Sequence, residues 1–190
     1  MSPDAESVRV RGTPVKSLCS FVSRELDVAA LACVLEKLPA PWSRSFGDGS
    51  LLASDRVPLS VVNLFTESAA EAKGEPVDAF AERAGTFGAR EGTSTVFKPF
   101  FFILSVSNAL QIAPLMWSRV YDAGKMRVES EAKSASIRVT EFPGSLAGCA
   151  RITGWFRYIG ELSGARNIRS RHDLCTSKGS AECVWKLSWE

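Results

Sequence analysis

The first half of the chain repeats apolar residues at the spacing of helices. Between Val15 and Leu38 they recur every three or four positions, and Asp27 can cap a second helix inside this stretch. Residues 39–57 are rich in proline, serine and glycine and predict a loop. The N-terminal 12 residues are polar and predict a flexible end.

Prolines mark the starts of the next helices. Pro58 and Pro76 each suit a first helical turn, which predicts helices to about residues 72 and 89. A further helix is expected over residues 93–108, and a short one over 114–121.

The pattern changes to period two after residue 123. Residues 125–131 and 135–142 predict a hairpin, Ser145 can cap a helix to about Ser163, and two more strands follow at 165–171 and 183–189. Helices followed by paired strands indicate an α+β fold, with N-terminal helices and then a β-β-α-β-β antiparallel sheet. We therefore predict a single domain over residues 13–190, with a helical part (13–122) and a second part (123–190).

Composition gives few functional indications. The 190 residues carry a net charge of +2, which does not call for nucleic acid or an anionic membrane. The apolar stretch 97–110 is too short to span a bilayer, and the N-terminus lacks the apolar segment of a signal peptide. A cytoplasmic location is expected, where clustered cysteines are metal ligands more often than disulfides.

The candidate chemistry lies in four residues of the C-terminal part: Cys149, His172, Cys175 and Cys183. Three thiolates and one imidazole form a standard tetrahedral set for structural zinc. The start of the helix at Ser145 should lower the pKa of the Cys149 thiol. From the residues alone, buried cysteines beside an unrelated histidine, or a disulfide between Cys175 and Cys183, remain alternatives. Cys19 and Cys33 are expected to be core residues.

These residues carry a family resemblance. The helix with Cys149 near its start and the Cys175–Gly179–Cys183 hairpin resemble the 4-vinyl-reductase type of small-ligand domain, whose fold is shared with heme–nitric-oxide-binding domains and TRAPP subunits. Within that group, aromatic-sensing regulators bind structural zinc through three cysteines and an acidic residue, whose place His172 takes here. The whole chain also resembles a myxobacterial paralogous family without established function.

The resemblance implies an apolar ligand pocket near the metal. The residues expected to line it are aromatic or apolar, namely Phe97, Phe101, Met116, Trp117, Tyr121 and Trp155. The alternative is that these side chains are ordinary core. The aromatic sensors grip the phenolic hydroxyl of their ligand with a histidine and a tryptophan, and this chain has no histidine besides His172 for that role.

We accordingly expect a non-catalytic, zinc-stabilised sensory or regulatory domain that binds a small hydrophobic ligand or a protein partner. The alternative is a TRAPP-like dimeric adaptor with a filled core and no ligand. Relatives are often dimers, so a homodimer is expected, and neither nucleic acid nor a membrane span is. An enzyme would require an open metal position or a cofactor site that the sequence does not supply.

Overall fold

The computed structural model describes residues 4–93 and 104–190. Two short strands and five helices precede residue 93. In chain order they are β1 (Arg9–Arg11), α1 (Gly12–Glu25), α2 (Val28–Glu36), α3 (Ala40–Gly47), β2 (Arg56–Pro58), α4 (Leu59–Lys73) and α5 (Val77–Gly92). The elements after residue 103 are α6 (Val106–Gln111), α7 (Ala113–Val120), β3 (Lys125–Ser130), β4 (Ser134–Thr140), α8 (Leu146–Leu162), β5 (Arg169–Leu174), a 3₁₀ turn (Thr176–Lys178) and β6 (Glu182–Ser188).

Local signals fix most helix starts. The Asp27 carboxylate accepts a hydrogen bond from the Ala30 amide at 2.8 Å, and the Ser145 hydroxyl accepts one from the Gly148 amide at 2.9 Å. Both predicted caps are therefore confirmed. Most of the helix predicted over 93–108 lies outside the described residues.

The segment 39–57 differs from its prediction. It contains helix α3, because Pro39 and Pro41 suit the start of a helix, and it also contains the first two residues of strand β2. Strand β2 pairs antiparallel with β1, where Val10 lies opposite Val57 and both are buried. Strand β1 thus lies inside the N-terminal segment whose polar composition predicted a flexible end. The domain boundary at residue 13 stays a prediction.

The larger sheet is antiparallel, with strand order β3-β4-β6-β5. Its inner face is apolar and carries Ile137 opposite Trp185 and Val139 opposite Cys183. The outer face carries mainly charged and hydroxyl side chains. The α+β class with antiparallel sheets is thus confirmed.

Helices α5 and α8 make the densest helix contact, and two glycines permit it. A Cβ at Gly85 would lie 1.9 Å from the Arg151 carbonyl oxygen, and one at Gly154 would lie 2.0 Å from that of Glu82. The two backbones therefore touch directly, and no side chain fits between them.

None of the helices in the described ranges is long and apolar enough to cross a membrane.

Candidate functional site

The four predicted ligand residues come together at one end of the sheet. Cys149 lies in the first turns of α8, His172 on β5, Cys175 just before the 3₁₀ turn and Cys183 on β6. One donor atom from each lies within 4.8 Å of all the others. The three Sγ atoms are separated by 3.8 to 3.9 Å. We call these four residues the thiol–imidazole cluster.

Strand register brings the cluster together. His172 pairs with Trp185, and Cys183 pairs with Val139, so both ligand side chains point to the inner face of the sheet. A slip of one residue in β5 or β6 would turn them to the outer face. The core pattern of β6 therefore also fixes the position of the Cys183 thiol.

The His172 ring is held flat against Trp185. The ring centroids are 4.5 Å apart at an interplanar angle of 20°. The indole Nε1 donates to the Thr153 hydroxyl at 3.0 Å, and that hydroxyl donates to the Cys149 carbonyl oxygen at 3.0 Å. The Nε2 atom of His172 is buried without a hydrogen-bond partner. A buried, unpaired nitrogen beside three thiols would find a partner if it coordinated a metal ion together with the sulfur atoms.

The chain leaves room for the sulfur atoms by using glycine. A Cβ at Gly144 would lie 2.7 Å from the Cys183 Sγ and 2.8 Å from the Cys175 Sγ. The Gly144 amide donates to the Thr176 hydroxyl at 2.6 Å, which in turn donates to the Phe142 carbonyl oxygen at 3.0 Å. Sequence reasoning missed Gly144, because only the fold places it against the thiols.

Hydrogen bonding separates the pKa values of the thiols. The hydrogen bonds of Cys149 to the other two thiols raise its pKa, and burial raises it further. The bond to Cys149 lowers the pKa of Cys175 to about 6 and that of Cys183 to about 4. Cys149 thus acts as the donor toward thiolates, opposite to the lowered pKa expected from its helix position. The result is a cluster with negative charge at neutral pH.

Arg151, two residues after Cys149 on α8, is half-buried and is held by two polar side chains of α4. Arg151 donates to the Thr66 hydroxyl at 2.6 Å and to the Asn63 side-chain oxygen at 2.9 Å. Burial lowers the pKa of its guanidinium. Arg169 and Arg171 lie on the outer face of β5, away from the sulfur atoms.

The predicted pocket residues fall into separate groups. Trp117 and Tyr121 pack together at 4.4 Å and both contact Phe142, so this aromatic group is filled by its own rings. Trp155 packs against Phe156 at 5.6 Å instead. Met116 lies half-buried on α7. Phe97 and Phe101 lie outside the described residues, so a pocket formed with them stays a prediction.

The other two cysteines differ from each other. Cys19 is half-buried against the core, where burial raises its pKa to about 12. Cys33 is exposed, so its assignment to the core was wrong.

Comparison with known proteins identifies a fold. No family model matches the chain, and no curated protein matches it. Among solved structures, an H-NOX protein from S. oneidensis in the Fe(II)NO ligation state superposes with a TM-score of 0.71 at 14% identity, covering 95% of this chain and 99% of that one. An oxygen-binding H-NOX domain related to soluble guanylate cyclases superposes with a TM-score of 0.68 at 9% identity, covering 95% of each chain.

These neighbours also correct the cofactor prediction. A third structure, solved in a study of heme redox potential and porphyrin distortion, matches with a TM-score of 0.67 at 10% identity over 94% of this chain and 99% of that one. The group associated with this fold is therefore heme, and the prediction of structural zinc as the cofactor is contradicted. The 4-vinyl-reductase and TRAPP names gain no support from these neighbours.

This chain has no histidine outside the thiol–imidazole cluster that could ligate a heme iron. A heme iron needs an axial histidine, thiolate, methionine or tyrosine. The one histidine is His172, which lies in the thiol–imidazole cluster, and residues 94–103 contain none of these four residue types. Burial keeps the thiol of Cys19 protonated and raises the pKa of Tyr121. The likeness to the solved structures is thus one of fold, and by fold this chain is an H-NOX-like α+β protein.

Proposed function

We propose that this chain is a non-catalytic sensory or regulatory domain whose responsive centre is the thiol–imidazole cluster. The observation that carries the proposal is the convergence of three sulfur atoms and one imidazole nitrogen within 4.8 Å, from one helix, two strands and a turn. Such a donor set selects soft or borderline transition-metal ions over calcium or magnesium. The neighbours of the fold include gas-binding H-NOX proteins, which supports a sensing role for the architecture.

The ligand atoms are set up for binding and not for chemistry on a substrate. With four protein donors, a tetrahedral ion has no open position for water or substrate. Cys149 and Cys183 are buried, and the Thr176 hydroxyl occupies the space beside Gly144. A bound ion would join α8 to β5 and β6, so its gain or loss would change how the helix sits on the sheet.

The proposal is tested by metal content. Tag-free protein, purified without chelator, is assayed by elemental analysis for first-row transition metals against a Cys149→Ser/Cys183→Ser variant. About one ion per chain in the wild type and almost none in the variant supports the proposal. Wild type with far less than one ion per chain, which also fails to take up Co²⁺ with thiolate charge-transfer absorption, would show that the cluster does not bind metal.

A small hydrophobic ligand is a second candidate input. Its support is the pair of aromatic side chains Trp117 and Tyr121, whose ring centroids lie 4.4 Å apart. Native mass spectrometry of freshly purified protein tests it. A reproducible added mass, lost in Trp117→Leu but kept in Trp155→Leu, is expected. An unliganded mass alone would favour the alternative of an adaptor with a filled core.

A further inference from the structure

The outer face of the larger sheet carries a groove that the cluster does not use. It has a volume of about 600 Å³ and crosses all four strands at one end of the sheet. Three serines of the outer face, Ser134, Ser136 and Ser188, are among its lining residues. The Ser136 hydroxyl is buried without a hydrogen-bond partner. The groove thus contains a hydroxyl group that a polar ligand would satisfy.

Charge is divided along this groove. At the β5–β6 end lie three cations, Arg169, Arg171 and Lys186, and at the β3 end lie two carboxylates, Glu129 and Glu131. Asp173 partly neutralises the first end by pairing with Arg171 and, at 3.9 Å, with Lys186.

Some of the cations on this face have no acidic partner. Among the residues the structure describes, Arg169 and Arg127 make no ion pair. Arg127 lies directly opposite Arg138 in the register of β3 and β4, outside the lining of the groove, and Arg138 is paired with Glu182. Within the groove, as far as the structure describes the chain, Arg169 is therefore the cation that keeps no acidic partner and would suit an anionic group.

From these observations we propose that the groove is a docking site for an acidic segment of a partner protein. Four strands at the usual spacing span about 14 Å, which about four extended residues would cover. The acidic residues of the segment would lie over Arg169 and Lys186, and its neutral or basic end would lie near Glu129.

Nucleic acid fits this groove less well. A phosphate backbone carries charge at every step, so it would be repelled by Glu129 and Glu131 at one end. The lining also contains no aromatic side chain on which a base could stack.

The same strands connect the groove to the cluster. Arg171 on the outer face is followed by His172 on the inner face, and Lys186 follows Trp185. The idea that docking is the output of the sensor rests on the proposed function. The binding of an acidic segment to the groove can be measured independently of it.

The test uses fluorescence anisotropy with a labelled 12-residue peptide whose first half alternates Glu and Ser and whose second half alternates Gln and Ser. An all-Gln version and a 12-nucleotide single-stranded DNA serve as comparison probes. Arg169→Glu/Lys186→Glu is compared with the control Lys16→Glu/Arg119→Glu, which makes the same change in net charge on exposed helical positions. Circular dichroism and melting temperature verify that both variants are folded.

The acidic peptide should bind the wild type with an affinity that falls as the salt concentration rises. It should bind Arg169→Glu/Lys186→Glu at least about tenfold more weakly than it binds the control Lys16→Glu/Arg119→Glu. An equal loss in both variants, no binding at low salt, or tighter binding of the DNA than of the peptide would each overturn the inference. Because metal content is measured separately, a chain that holds its ion but does not bind the peptide would refute the docking site alone.

Discussion

The imidazole of His172 lies stacked on the indole of Trp185, with centroids 4.5 Å apart, and it belongs to the thiol–imidazole cluster. The two residues are direct neighbours across β5 and β6. Trp185 is completely buried and is fixed by its hydrogen bond to Thr153. The packing of the core thereby orients the His172 imidazole, which is one of the four donor groups of the thiol–imidazole cluster.

His172→Phe should separate stacking from ligation. A phenyl ring can keep the contact with Trp185 but offers no nitrogen, so Co²⁺ affinity should fall at least about 100-fold, while the metal-free protein should unfold within about 1 kcal/mol of the wild type. Competition titration and urea unfolding measure the two quantities. Unchanged affinity would show that His172 is not a ligand.

Gly144→Ala should disrupt the cluster without removing a donor. The added methyl group would overlap the sulfur atoms of Cys175 and Cys183, which calls for a backbone shift that costs about 1–3 kcal/mol and weakens metal binding. Gly92→Ala is the matched control, since its Cβ meets nothing within 4 Å. Equal metal affinity in the two variants would refute the close approach at Gly144.

The contact between α5 and α8 predicts that alanine substitution changes stability very differently at two glycines, Gly154 and Gly88. Gly154→Ala would bring a methyl group against the Glu82 carbonyl and should destabilise the fold by about 3 kcal/mol or more. At Gly88, the new Cβ would make an ordinary contact of 3.9 Å with Ser17, so alanine should be neutral or stabilise the helix by up to about 1 kcal/mol. Thermal unfolding of both variants measures this. A Gly154→Ala protein as stable as Gly88→Ala would contradict the packing.

The shifted pKa values of the thiols predict how the stability of the metal-free protein depends on pH. The pKa of Cys183 is about 4 in the folded state and that of Cys175 about 6, against an ordinary value of 9.0. Between about pH 4 and 9 the unfolded chain binds more protons at these sites, so their contribution to stability grows as pH rises and is lost as pH falls. Above pH 9 the raised pKa of Cys149 acts in the opposite direction.

The free energy of unfolding is measured across this range for chelator-treated wild type and for Cys175→Ala/Cys183→Ala. Because both proteins contain the same carboxylates, the difference between the two curves cancels the contribution of those carboxylates. The difference should favour the wild type increasingly toward pH 9. A difference that stays flat from pH 4 to 9 would show that the thiols do not share protons as the geometry indicates.

Several elements of the fold follow from local rules of the sequence alone. The caps at Asp27 and Ser145, the helix starts after Pro58 and Pro76, and the α+β class follow from hydrogen bonds and periodicities that span only a few residues. The spacing of soft donors also singled out the four cluster residues, because those side chains are uncommon and have few other uses.

The neighbours of these elements depend instead on contacts between distant parts of the chain. The register of β5 on β6 set His172 against Trp185, and the approach of α5 to α8 depended on Gly154. Strand β1 formed because Val10 found a partner in Val57, 47 positions away, which no local pattern indicates. Such contacts depend on the whole chain closing over one core, so sequence spacing could identify the donors of the site but not their neighbours.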